Sequence, residues 1–126
     1  MRKSIRTDAA SKGDGPYSQS IVSANGFVFV SGQGPLDPTT NVIIGESIEE
    51  QADATLRNVA SILQASGCSM DDVVKVNVYL SSMKLFSRFN EVYARHFHHP
   101  MPARSCIGAE LDGILVEIDV IAEIPS

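Results

Sequence analysis

The stretch Ser20-Ile21-Val22-Ser23-Ala24-Asn25-Gly26-Phe27-Val28-Phe29-Val30-Ser31 decides the fold. Asn25-Gly26 is the dipeptide that most strongly favours a two-residue hairpin, because both central positions of that turn need positive φ. The flanking runs, residues 20–24 and 27–31, are therefore expected to pair as antiparallel strands. In the second run Phe27, Phe29 and Ser31 alternate with Val28 and Val30, so both faces are largely apolar. Such a strand is buried on both sides, and something outside the hairpin must cover it.

Working outward, Gly32-Gln33-Gly34-Pro35 breaks the strand and residues 36–41 form a loop. The glycines are read as turn residues, because neither a P-loop lysine nor the spacing of a dinucleotide fingerprint accompanies them. Upstream, Gly13-Asp14-Gly15-Pro16-Tyr17-Ser18-Gln19 is turn chemistry throughout and holds Tyr17 in a loop. Downstream, Ser47-Ile48-Glu49-Glu50 reads as a capping box that opens a long helix. Ile48, Ala52, Leu56, Val59, Ile62 and Leu63 recur on one face of it, while Glu49, Asp53, Arg57, Asn58 and Gln64 lie opposite. Gly67 is placed to end it. Residues 73–80 alternate as a strand, with Val74, Val76, Val78 and Leu80 on one face and Lys75, Asn77 and Tyr79 on the other.

A second helix, capped by Ser82, is expected from Met83 to about Phe97. Its stripe of Phe86, Phe89, Tyr93 and Phe97 is read as core that packs on the sheet. His96, His98 and His99 near its end suit the helix dipole; a metal site is the lesser reading, because no cysteine or carboxylate is spaced to complete one. Then comes His99-Pro100-Met101-Pro102-Ala103-Arg104-Ser105-Cys106-Ile107-Gly108, where two prolines stop the helix and a short strand follows. Alternation puts Arg104, Cys106 and Gly108 on one face, small neighbours that leave room for a ligand beside the guanidinium. Arginine grips a carboxylate or phosphate through two parallel hydrogen bonds. After a turn at Leu111-Asp112-Gly113, residues 115–124 form a last strand with Glu117, Asp119 and Glu123 on one acidic face.

The order β-β-α-β-α-β-β points to an α+β fold, one domain over residues 1–126, with a mixed sheet and two helices on one face. The other face stays wet in a monomer, which asks for an oligomeric partner. A net charge of −5 and a pI near 5.0 work against binding nucleic acid. Cys68 and Cys106 form neither a disulfide framework nor a metal-ligand spacing, which fits a reducing compartment. The basic stretch at residues 1–6 has no apolar core after it, and no run approaches the roughly 20 apolar residues of a membrane helix. A cytoplasmic location is expected; a mitochondrial address is the lesser reading, against which Asp8 and Asp14 count. On the residues alone, Arg104 and Glu117 read about equally as a cross-strand ion pair or a functional pair. Cys106 reads as a small core residue rather than a nucleophile, and Tyr17 as either a turn filler or a site residue.

Five segments carry a resemblance: Gly15-Pro16-Tyr17-Ser18-Gln19, Phe29-Val30-Ser31-Gly32-Gln33, Phe89-Asn90-Glu91-Val92-Tyr93, Pro102-Ala103-Arg104-Ser105-Cys106 and Val116-Glu117-Ile118. In their order and approximate spacing, over essentially the full length, the chain closely resembles the RidA (YjgF) family of reactive enamine/imine deaminases. The resemblance implies a chorismate-mutase-like (YjgF-like) subunit in a homotrimer whose sheets line a central barrel, with clefts between neighbouring chains. It implies hydrolysis of 2-aminoacrylate and related 2-imino acids to 2-keto acids and ammonia, with no cofactor and no metal, the activity of a 2-iminobutanoate/2-iminopropanoate deaminase. By motif, Arg104 binds the substrate carboxylate, Glu117 orients or activates the attacking water, and Tyr17 and Ser31 line the cleft. Cys106 sits beside the carboxylate chiefly through its backbone N–H, and Asn90 borders the site. One departure bears on substrate range: residues 107–115 are shorter than in typical members, with Glu110 where a small or basic residue is common. Three other readings stay open: a non-catalytic trimer that senses a 2-keto acid, a ribonuclease or translation inhibitor, and a specialised pathway deaminase.

Overall fold

The computed structural model describes residues 1–126. Six strands and two helices follow in the order β1 (Lys3–Ile5), β2 (Ser20–Val22), β3 (Phe27–Gln33), α1 (Ile48–Ala65), β4 (Val73–Leu80), α2 (Phe86–His96), β5 (Ala103–Gly108) and β6 (Val116–Glu123). All six strands join one sheet in the order β1-β2-β3-β6-β4-β5. Every pair is antiparallel except β4 with β5, the pair that α2 connects, as a parallel crossover requires. The fold is α+β, with a mixed sheet and both helices on one face.

Periodicity explains the main elements. Ser47 Oγ accepts the Glu50 N–H at 3.1 Å while the Glu50 carboxylate accepts the Ser47 N–H at 3.3 Å, so the capping box opens α1. Ile48, Leu56, Val59, Ile62 and Leu63 are buried against Val28 and Val30 of β3 and Ile118 and Val120 of β6 in one core. Phe89, Tyr93 and Phe97 extend that core from α2, with successive ring centroids 5.7 and 4.6 Å apart. Glu49 of α1 and Arg88 of α2 form a two-bond ion pair at 2.6 and 2.7 Å that ties the helices together. No helix is long and apolar enough to cross a membrane.

Several details differ from the sequence reading: β3 runs on through Gly32 and Gln33, the second helix begins at Phe86 after a 3-10 turn over Met83–Leu85 and ends at His96, and four more have a local reason. The hairpin turn holds three residues between Ser23 and Phe27 rather than two: only Gly26 takes positive φ, at 86°, after a turn closed by the Gly26 N–H on Ser23 O at 3.0 Å. In β4 a register shift between Val73 and Lys75 turns Val73 inward and leaves Val74 exposed, so the buried row is Val73, Val76, Val78 and Leu80. Asn58 is buried on α1 instead of facing water, because its amide donates to Gly34 O and Leu36 O at 3.0 and 2.9 Å. The strand β1 was not expected at all; three residues carry no readable period.

The face without helices has its own pattern. Ile21, Phe29 and Ile121 stand in register across β2, β3 and β6, and Phe29 is 46% exposed. The alternation that made β3 apolar on both sides thus buries Val28 and Val30 under the helices and leaves Phe29 in the open.

Candidate functional site

Register settles how the two charged residues relate. Arg104 aligns with Val76 of β4 and Glu117 with Tyr79. Those positions are three apart on one strand, so the two side chains project from opposite faces of the sheet. The cross-strand ion pair is therefore overturned, and Arg104 and Glu117 do not meet within one chain.

Arg104 points to the helix side. Small neighbours do flank it along β5, but α2 fills the space above: its guanidinium carbon lies 4.6 Å from the Tyr93 ring centroid, 5.6 Å from Phe86 and 5.9 Å from Phe89. Three cations in the chain are half-buried. Lys12 bonds Pro38 O and pairs with Asp8, and Lys75 donates to Ser105; Arg104 alone has neither a hydrogen bond nor an ion pair. Cys106 follows on the same face, partly buried against the core. Burial pushes its thiol pKa up, against the pull of the Arg104 charge, so it is held as a thiol and not as a nucleophilic thiolate. Asn90 lies on α2 one turn beyond Phe86, and its Oδ1 is buried without a hydrogen-bond partner.

Glu117 points to the open face, into a cavity of about 320 Å³ whose walls include Lys12, Tyr17, Gly32, Asn41 and Ile114. Its neighbour Asp119 is fully engaged, accepting from Asn77 Nδ2 and the Tyr79 hydroxyl at 2.9 Å each. Glu117 accepts no hydrogen bond, and burial first, with the Asp119 charge second, raises its pKa above the usual value. A half-buried carboxylate with a raised pKa and free oxygens is suited to proton transfer. Gly32 makes the arrangement possible, since a Cβ there would overlap the Glu117 carboxylate.

Tyr17 reaches the same cavity. Its ring lies against Gly13 and Gly15, where added Cβ atoms would collide with it, and its hydroxyl meets Asp14 Oδ1 at 3.3 Å. Ser31 stands behind this wall instead of in it: its Oγ donates to Ser18 O at 2.6 Å and its N–H to Gln19 O, which ties β3 to the Tyr17 loop. The chain thus brings together Glu117 and Tyr17 as one group, and Arg104, Cys106 and Asn90 as another, on two faces of one sheet.

Residues that the sequence reading passed over complete the cavity. Gln19 is buried, its amide bonded to Thr7 O and Ser11 O while its Oε1 accepts the Thr7 N–H, and it folds the N-terminal segment over the pocket. Asn41 holds Ser11 from a positive φ of 63°. Both lie in loops, where no periodicity reports burial. His96 and His98 are taken up by Asp53 and Asp71 at 2.9 and 3.0 Å, and no three His, Cys, Asp or Glu side chains stand where they can share a metal ion.

Comparison with known proteins adds an independent line. A family model described as Endoribonuclease L-PSP matches residues 7–124. The protein Mmf1 of Saccharomyces cerevisiae, described as mitochondrial, is 47% identical over 120 residues, 94% of this chain and 81% of its own length. Its crystal structure superposes with a TM-score of 0.92, covering 99% of this chain and 100% of that one. A 2-iminobutanoate/2-iminopropanoate deaminase of Mus musculus is 38% identical across 97% of this chain and 91% of its own. Escherichia coli TdcF, crystallised with bound serine, superposes with a TM-score of 0.88 at 34% identity, covering 98% and 99% of the two chains.

Proposed function

This chain belongs to the RidA/YjgF family, whose model is described as Endoribonuclease L-PSP, and from that premise we propose that it hydrolyses 2-imino acids, the tautomers of 2-aminoacrylate and its homologues, to 2-keto acids and ammonia. The observation that carries the reading is Arg104: a half-buried guanidinium with no anion, in a chain whose 15 acidic residues outnumber 10 basic ones. Such a group awaits a carboxylate from outside the chain. That TdcF binds serine, a small molecule with a carboxylate on the carbon bearing nitrogen, agrees with a ligand of this size and charge.

The chemistry needs a held substrate, a water and a proton carrier. Arg104 holds the carboxylate in two hydrogen bonds, with the Cys106 backbone N–H beside it and Asn90 at the border. The Glu117 carboxylate takes a proton from water as the oxygen attacks the imine carbon. It then returns the proton to nitrogen to give the carbinolamine. It takes up the carbinolamine hydroxyl proton and passes it to the amino nitrogen as the carbon–nitrogen bond breaks, so that the carbonyl forms and ammonia leaves. Tyr17 shapes the wall next to Glu117 and Ser31 holds that wall in place. Hydrolysis of this kind involves no electron transfer and no activated carrier, so these residues suffice for it. Because Arg104 and Glu117 face opposite ways, the site is assembled between chains of a homotrimer packed through the open sheet face. The acidic charge speaks against RNA as substrate despite the family's description. The cytoplasm is the proposed compartment, with Mmf1 as an instance of a mitochondrial relative.

The test couples threonine dehydratase, which releases the unstable imine, to trapping by semicarbazide. Wild type is expected to divert the imine to keto acid and suppress the semicarbazone, and a folded Arg104→Ala variant to do so about ten- to a hundredfold less well. Equal suppression by both proteins would remove Arg104 from the reaction. Binding of 2-ketobutyrate with no rate enhancement would replace catalysis by ligand sensing.

A further inference from the structure

Arg104 keeps its place without any of the bonds that usually fix an arginine, and α2 shows what replaces them. Phe86, Phe89 and Tyr93 lie at spacings of three and four along the helix, on one side of it, and all three ring centroids come within 6 Å of the guanidinium carbon. The nearest, Tyr93, is only 5% exposed, and Phe86 is half-buried at the rim. We propose that Tyr93 and Phe86 are positioning residues of the carboxylate site, seating the Arg104 guanidinium on their rings so that its N–H donors stay unspent until a substrate carboxylate arrives. This rests on the reading of Arg104 as the carboxylate ligand.

The physical case runs through what the alternatives would cost. A half-withdrawn guanidinium is normally steadied by an acidic partner, but an acid on the neighbouring strand would occupy the donors that substrate needs and compete with it. A ring interacts through its π-face and consumes no N–H, so it compensates desolvation and restricts the side chain while the donors remain available. Pure core packing explains Phe89 and Phe97, buried among aliphatic neighbours. It does not explain a cation over the ring of Tyr93, a position where leucine or methionine on β5 would fill the same space. Burial also pushes the Tyr93 phenol up to about 12, so it stays neutral and offers no phenolate to capture the guanidinium. Its hydroxyl and Asn90 Oδ1 are both buried on α2 without a hydrogen-bond partner, so neither draws the guanidinium off the rings.

The experiment measures 2-ketobutyrate affinity by calorimetry and the Arg104 Nε–H resonance by NMR in wild type, Phe86→Leu, Tyr93→Leu, Tyr93→Phe and Phe97→Leu. In wild type the Nε–H is expected to carry an upfield ring-current shift. Phe86→Leu and Tyr93→Leu should diminish that shift and weaken binding about five- to tenfold, in line with the strength of a partly desolvated cation–π contact. Tyr93→Phe keeps the ring and should restore both readouts to within about twofold of wild type. Phe97→Leu removes a core ring just past the end of the same helix, one that packs on Tyr93 but is not over Arg104; it should lower thermal stability and leave affinity unchanged. Wild-type affinity in folded Phe86→Leu and Tyr93→Leu, or equal weakening by Phe97→Leu, overturns the proposal. If wild type shows the ring-current shift yet binds no 2-ketobutyrate, the carboxylate reading of Arg104 itself falls, and the seat with it.

Discussion

At Glu117 the requirements of the reaction and of the fold pull against each other. Its carboxyl is half-buried, beside Asp119 and without a donor to its oxygens, so its pKa in the folded chain lies above the ordinary value of 4.5. Between the ordinary and the raised value the folded protein therefore holds more protons than the unfolded one, and stability falls as pH rises through that window. Above it the ionised group is a fixed liability. Glu117→Gln is expected to be more stable than wild type at neutral pH, with the difference vanishing in acid where both side chains are neutral; denaturant titrations across pH measure it. The same variant should lose about 10² to 10⁴ in rate, the usual contribution of a positioned general base. In wild type, kcat/KM should rise with pH on a limb set by the raised pKa, and a limb at the ordinary carboxyl value would take the role of base away from Glu117. The sequence made the residue legible as one of three acids on an alternating strand. The alternation could not separate Glu117 from Asp119, which the family resemblance alone did, because the physical difference lies in Asn77 and Tyr79, which reach Asp119 from β4.

The elements that carry the site were readable where a period or a cap recurs, and unreadable where a single hydrogen bond decides. The capping box, the six apolar positions of α1 and Phe86, Phe89 and Tyr93 of α2 all lie where helical spacing puts them, while Phe97 reaches the core from extended backbone just past the helix. The three-residue β1 and the shift at Val73 have no such signature. Asn58 shows the limit most clearly, since the polar residues that share its pattern, Glu49, Asp53, Arg57 and Gln64, are exposed or half-buried while it is 3% exposed. Its amide clamps Gly34 O and Leu36 O, fixing the loop that follows β3 onto α1, and Gly34 belongs to the wall of the Glu117 cavity. Gln51, two turns earlier on α1, clamps the loop before β6 by accepting the Leu115 N–H at 2.8 Å. Asn58→Ala would leave two carbonyls without their donor, at a cost of about 1–3 kcal/mol for each one still kept from water. The expected result is a lower thermal midpoint, together with a raised KM as the cavity wall loosens. An Asn58→Ala enzyme with wild-type KM would confine the clamp to stability.

For the whole molecule, what the sequence established was a deficit. A strand apolar on both faces, with helices enough for one, leaves the row of Ile21, Phe29 and Ile121 uncovered, and the structure places that row on the same face as Glu117. Arg104, the other half of the proposed site, is on the outermost strand and on the opposite face, so any arrangement that unites the two must use more than one copy of the chain. In the proposed trimer, three open faces packed around an axis would bury the apolar rows and bring each β5 edge toward a neighbour, satisfying both needs by one symmetry operation. Mixed subunits test this directly. Arg104→Ala and Glu117→Gln homotrimers are each expected to keep no more than about a tenth of wild-type activity. Refolded together from denaturant at equal amounts, they should recover about one quarter of wild-type activity, because a cyclic trimer pairs an intact Arg104 with an intact neighbouring Glu117 at one site in four. Sites confined to single chains would gain nothing above the separate variants, since every chain then carries one of the two lesions. Recovery that disappears when Phe29→Asp is added to both variants, together with a monomeric mass in sedimentation, would tie the shared site to the apolar row that the first hairpin leaves exposed.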